Sequence, residues 1–215
     1  MGNIQSFQSI LSDEKLSQKD KNETYSKSLI SFMTESQLFD QNLHSNFVVI
    51  IFVFKHKGEW HALFHHNGKE DRLGFVAGKV DMLPPPYQPT REKVELAAAR
   101  EMYEEAGIPI SIPYLADSCV HSGCDVEILY KFSQKTTTVF VVKALGEDTV
   151  DLNRWKTVCQ GPETKNIVTV PLVEVAKWTP DPDKQLGNTG IFPRKYSITT
   201  FKLLIHLIRT GRLPL

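Results

Sequence analysis

The chain has 215 residues, 41% hydrophobic and 10% aromatic, the composition of an ordinary globular protein able to bury one core with an extension. Lysine plus arginine and aspartate plus glutamate both number 25, so no net field gathers a polyanion, and a nucleic-acid partner is disfavoured. One domain is expected over residues 44–215, preceded by a polar, partly helical extension over residues 1–43.

Within the extension, Ile4, Phe7, Ile10 and Leu11, and again Tyr25, Leu29, Phe32 and Met33, recur at helical spacing. That predicts two short amphipathic helices laid against the domain, joined by a solvated turn at Ser17–Glu23. Met1-Gly2-Asn3-Ile4-Gln5-Ser6 fits the myristoylation pattern. A membrane would be reached only through an acylated Gly2, and a single acyl chain holds reversibly. The sequon Asn22-Glu23-Thr24 has no secretory signal ahead of it. Cys119, Cys124 and Cys159 are an odd number and fit a reducing cytoplasm. Cys119-x-His121-x2-Cys124 lacks the second ligand pair of a zinc site.

From Asn46 the pattern turns to strand. Phe47 to Phe54 is unbroken apolar sequence with β-branched bias, expected of a central strand covered on both faces. Trp60 to His65 should pair with it across a Lys57-Gly58-Glu59 turn. His61, Leu63 and His65 then share one face, and Ala62, Phe64 and His66 the other. A metal site from His61 and His65 is conceivable, but strand histidines so placed are read as half-exposed polar residues.

The most specific stretch runs from Gly78 through Glu92 to Ala98-Ala99-Arg100-Glu101-Met102-Tyr103-Glu104-Glu105-Ala106-Gly107-Ile108. Thr90 is the expected N-cap of a helix ending near Ala106, with Gly107 stopping it in a left-handed turn. Leu96, Ala99, Tyr103 and Ala106 form its inward stripe. Glu101, Glu104 and Glu105 fall at i, i+3 and i+4, so their carboxylates share a face and repel one another unless a cation neutralises them. Arg100, always charged and able to hold carboxylates in a fork, reads as a clamp beside them, with Glu92 two turns earlier. A merely solvated surface helix does not require this spacing.

These residues resemble the Nudix box, and the chain is identified as a member of that superfamily. The resemblance implies an α/β (α+β) fold, an α/β/α sandwich with a mixed central sheet. It also implies a divalent-metal-dependent pyrophosphohydrolase with Mg²⁺ or Mn²⁺ as cofactor. Glu101, Glu104 and Glu105 are the implied metal ligands with the Ala77 carbonyl, and Glu101, Arg100 and Glu92 the implied catalytic group. A small-molecule nucleotide is the expected substrate, a nucleoside diphosphate linked to another moiety, and a homodimer the expected assembly. Two features depart from the family. Thirteen residues separate Gly78 from Glu92 where the family has five, so Met82–Pro89 reads as an eight-residue insertion. Ala77 stands where the family usually has a second glycine.

Inside the insertion, Pro84-Pro85-Pro86-Tyr87 fits a WW-domain ligand, though its place favours a rigid wall of the substrate pocket with Tyr87 stacking on a base. Trp60, Phe64 and Trp155 are further candidate stacking residues. Strands are expected at Ile128–Phe132, Thr137–Leu145 and Ile167–Val170, then an amphipathic helix from Tyr196 to Arg209. Glu147, Asp148 and Glu163 are candidates for the additional loop acid that family members often use. Other readings are a Nudix-fold nucleotide sensor without hydrolysis, which usually loses box carboxylates, and an adaptor acting through the proline-rich loop.

Overall fold

In a computed structural model, which describes residues 45–82, 91–111, 124–134, 136–147 and 163–214, the apolar run becomes β1 (Phe47–His56). Val48, Ile50, Phe52 and Phe54 enter one core while Ile51 and Val53 enter another. With a core on each side, the strand needs no polar alternation. Lys57 and Gly58 both take positive φ, 49° and 84°, and turn the chain into β2 (Glu59–Asn67) as a two-residue hairpin. Phe52 lies opposite Leu63 and Phe54 opposite His61.

β3 (Arg72–Gly74) and β4 (Val76–Lys79) follow. β4 runs antiparallel along Phe47–Ile50, and β2 takes Phe52–His56. β7 (Thr137–Glu147) lies parallel to β1, and β6 (Cys124–Gln134) is antiparallel to β7. β5 (Ile110–Ser111) flanks β6, β8 (Thr164–Pro171) flanks β2, and β9 (Phe192–Pro193) flanks β3. Nine strands thus form a mixed sheet among the described residues.

Helices cover both faces. α1 (Val94–Ala106) contributes Val94, Ala97, Ala98, Ala99, Met102 and Ala106 to the first core. The single turn α2 (Leu172–Val175) and α3 (Ile198–Arg209) build the second, where Phe201 stacks on Phe64 with centroids 5.6 Å apart. This is the α/β/α sandwich with a mixed sheet expected from the sequence. Among the described residues no helix is long and apolar enough to cross a membrane.

The start of α1 differs from expectation. Lys93, with extended φ −63° and ψ 148°, holds the N-cap position without a side-chain cap; Thr90 is not the cap. The reason is a short ladder ahead of the helix: Glu92 N–H donates to the Asp81 carbonyl at 3.0 Å, and Met82 bridges Arg91. Residues 91 and 92 are committed to that pairing, so helical backbone begins only afterwards. The far end follows the sequence: Gly107 has φ 67° and donates to the Tyr103 carbonyl, and Ile108 donates to that of Met102, the paired bonds of a left-handed helix stop. The extension with Gly2, the segment carrying Tyr87 and Thr90, and Cys119, His121, Asp148, Trp155 and Cys159 lie outside the described residues.

Candidate active site

Arg100 is the centre of the cluster. It leaves α1 toward the end of β4, buried at 8% exposure, and its guanidinium hydrogen-bonds four partners, with Asp81 Oδ2 3.4 Å from Nη2 as well. Nη2 donates to Glu92 Oε1 at 2.7 Å and to the Lys79 carbonyl at 2.8 Å; Nη1 donates to Glu101 Oε1 at 2.8 Å and Glu104 Oε2 at 2.9 Å. A planar fork of fixed donors suits this task and a single ammonium does not. Glu92 in turn accepts from the Asp81 N–H at 2.9 Å. One buried salt-bridge system therefore ties the neck of the insertion, the end of β4 and the face of α1.

Glu105 is held separately. Its Oε2 accepts from the Ala77 N–H at 3.0 Å and lies 3.5 Å from Nδ1 of His65. Ala77 meets the cluster through this N–H, opposite Val49 of β1. Beside it, Gly78 leaves the space Glu101 occupies: a β-carbon there would lie 1.9 Å from Glu101 Cδ. The glycine is needed for close approach of strand and carboxylate.

The charges are strongly perturbed. Burial pushes the Glu105 carboxyl up to about 8, with Glu101 adding to the shift, and pushes Glu101 up to about 7. Glu104 is raised too, again chiefly by burial. Burial works against the charge on Arg100, but the surrounding glutamates more than offset it and hold the guanidinium above its ordinary value. Burial lowers His65 to about 4, with Arg194 acting in the same sense.

Three glutamates thus share one arginine with a fourth, Glu105, beside them in a poorly solvated place, an excess of negative charge that a divalent cation would relieve. Their hard oxygen donors suit Mg²⁺ or Mn²⁺. The residues fit such an ion in chemistry and charge. As placed, Arg100 and the Ala77 N–H draw the carboxylates apart, and among the described residues no three His, Cys, Asp or Glu side chains stand close enough to hold one. Ligation would therefore require Glu104 or Glu105 to rotate off these donors.

The remaining candidates are distributed unevenly. Phe64 has no exposed surface; it packs among Phe75, Trp178 and Phe201 in the second core, so it has no ring face for a base. Trp60 packs against that same core, across the sheet from α1. His61 stacks on Phe54 and approaches the Glu59 carbonyl at 3.1 Å, while His65 turns to Thr164 and Glu105. The two histidines form no joint site, and His65, at 0% exposure, is not the half-exposed residue expected from strand alternation. β8 pairs along its strand and brings Thr164 onto the ring, and the end of α1 brings Glu105 against it, neither of which periodicity within β2 can report. Glu147 ends β7.

Glu163, just ahead of β8, pairs with Lys69, and that bond lowers its pKa; its charge also acts on Glu105 and His65. Arg194, which no sequence motif marks, reaches the same margin. It makes two bonds to Glu70, at 2.7 and 3.2 Å, and its charge favours the ionised form of Glu105. Gly74 gives it passage, since a β-carbon there would lie 2.9 Å from Arg194 Cδ.

Among solved structures, the chain is similar to a C. elegans Ap4A hydrolase binary complex at 16% identity and TM-score 0.41, covering 77% of this chain and 97% of that one. It is similar to the M. smegmatis Nudix hydrolase RenU at 14% identity and TM-score 0.44, covering 85% and 98%. Shewanella oneidensis NrtR complexed with a 27mer DNA matches at 10% identity and TM-score 0.43 over 78% of this chain, which spans 63% of that longer one. No curated protein matches the sequence. The family model for the NUDIX domain matches residues 43–187, from four residues ahead of β1 to beyond β8 and α2, with the whole box inside it: the chain belongs to the NUDIX domain family.

Proposed function

We propose that the chain is a divalent-metal-dependent pyrophosphohydrolase that cleaves a nucleoside diphosphate linked to another moiety. The observation that carries this reading is the cluster of Glu92, Glu101 and Glu104 around the buried Arg100 at the end of β4, with Glu105 beside it on the Ala77 N–H. Such a cluster has a cost to folding that an ordinary surface helix avoids, and the box carboxylates are all present. Glu104 and Glu105, with Glu101, would hold Mg²⁺ or Mn²⁺. A bound ion supplies charge neutralisation at the phosphoryl oxygens and acidifies bound water.

The protein's own part can be written residue by residue. Arg100 fixes Glu101 through Oε1, leaving Oε2 to take a proton from the attacking water, and a carboxyl near 7 is suited to that transfer at neutral pH. Glu92 keeps Arg100 in place from behind. Among the described residues, Glu163 is a loop acid whose charge acts on Glu105, and it is the candidate for the additional acid. A phosphate-release screen over nucleotide sugars, dinucleotides and nucleoside triphosphates with Mg²⁺ and Mn²⁺ tests the proposal. Metal-dependent turnover abolished by Glu105→Gln supports it; turnover absent across the panel, or untouched by that substitution, overturns it.

A further inference from the structure

Resting on the diphosphate-cleaving reading above, we propose that Arg194 is a substrate-binding residue whose free guanidinium edge takes a phosphate of the nucleoside diphosphate beside Glu105. The backbone brings it there. Arg194 N–H donates to the Leu73 carbonyl at 2.7 Å, which ties the segment after β9 to β3. Leu73 and Phe75 enter the second core, so Gly74 between them faces the α1 side of the sheet. Gly74 stands opposite His65, whose ring lies 3.5 Å from Glu105 Oε2. Because Gly74 has no side chain, Arg194 lies across that face, its Cδ 2.9 Å from where a β-carbon would stand. Its charge acts there on Glu105, His65 and Glu163.

The guanidinium is held but not filled. Nε donates to Glu70 Oε2 at 3.2 Å and Nη2 to Glu70 Oε1 at 2.7 Å, which uses the two donors along one side of the fork. An arginine has five N–H groups, and the three left on Nη1 and Nη2 have no partner among the described residues. They include the parallel pair at the end of the fork, the geometry that receives a phosphate. Arg100 has no such edge: Nε and Nη2 go to Glu92, Nη2 also to the Lys79 carbonyl, and Nη1 to Glu101 and Glu104. Lys69 pairs with Glu163 and Lys165 with Asp71. A diphosphate approaching Glu101, Glu104, Glu105 and Glu163 meets repulsion, and Arg194, with 23% of its side chain exposed, offsets part of it. An ion pair this open to water adds little to folding, so the role of Glu70 is to aim the guanidinium.

Two substitutions separate a phosphate contact from an ion pair that only fastens the segment. In the full-length protein with Mn²⁺ present, titration calorimetry with α,β-methylene-ADP, whose bridging methylene resists hydrolysis, reads the contact directly. Arg194→Gln removes the charge and should weaken binding about 10–100-fold. Glu70→Gln breaks the same ion pair but keeps the guanidinium, so its affinity should fall clearly less, while the two variants shift the melting temperature alike. Wild-type affinity in Arg194→Gln, or equal affinity losses in the two variants, overturns the phosphate contact and leaves the nucleotide site standing. A wild-type protein that does not bind α,β-methylene-ADP overturns the nucleotide reading, and this inference with it.

Discussion

Gly78→Ala is the smallest change that reaches the chemistry. The added β-carbon would lie 1.9 Å from Glu101 Cδ and Oε1 and 2.3 Å from Oε2, where ordinary contact needs about 3.5–4 Å. The carboxylate must therefore move by roughly 1.5 Å, and only 8% of Glu101 is exposed, leaving it little room to go. The move breaks its bond to Arg100 Nη1 and separates it from Glu104. Losing one charge-assisted bond and accommodating a methyl group in a packed site each cost on the order of 1–3 kcal/mol. Relaxation of a flexible side chain shares the two costs, so a net loss of about 1–3 kcal/mol is expected, or roughly 2–12 °C in Tm for a chain of this size. A misplacement above 1 Å at a reacting group costs about 100-fold in rate. Phosphate release at saturating substrate and thermal melting by circular dichroism should thus show a folded protein with kcat down about 100-fold. A Gly78→Ala variant with wild-type kcat refutes the reasoning, because Glu101 would then not be needed where it stands.

Glu105→Gln should lower turnover by orders of magnitude. The folded carboxyl near 8, against an ordinary 4.5, keeps a proton that the unfolded chain releases, so metal-free wild-type stability falls as pH rises from about 4.5 to about 8. The variant lacks that fall, and its Tm advantage should grow across the same window; a Tm difference constant with pH would contradict this. Arg100→Ala strands the buried carboxylates of Glu92 and Glu101 and the half-buried one of Glu104 and should cost about 3–5 kcal/mol in urea unfolding, with Arg100→Lys recovering only a minority because one ammonium cannot span the same partners. A loss under about 1 kcal/mol would show that the cluster is not held by Arg100. Deleting Met82–Pro89 leaves the Asp81–Glu92 bonds that close the neck, so the protein should fold and still hydrolyse some nucleotide, with altered preference and raised KM. An unchanged kinetic profile over the panel would make the insertion a spacer or partner-binding arm.

What the sequence determined by itself is what local geometry suffices to determine. The unbroken apolar run implied a doubly covered β1, Lys57-Gly58-Glu59 implied a turn, which the structure tightens to Lys57-Gly58 with Glu59 already in β2, and the helix stop needed only the positive φ that Gly107 provides. The spacing of Arg100, Glu101, Glu104 and Glu105 placed the charged groups on one helix, because residues three and four apart are neighbours on any helix. The tertiary structure decided what depends on residues distant in the chain. Thr164 of β8, 99 residues beyond His65, and Glu105 of α1 close around a histidine that alternation alone left half exposed. Phe201, on the last helix, closes over Phe64 and removes it from candidacy for substrate stacking. Pairing of Arg91 and Glu92 with Met82 and Asp81 delays the helix beyond Thr90. Arg194 reaches the margin of the site because β9 lays its segment along β3 beside Gly74. Spacing along one element is written in the order of its residues, whereas burial and charge at each of these positions come from strands and helices that the chain brings back only when it folds.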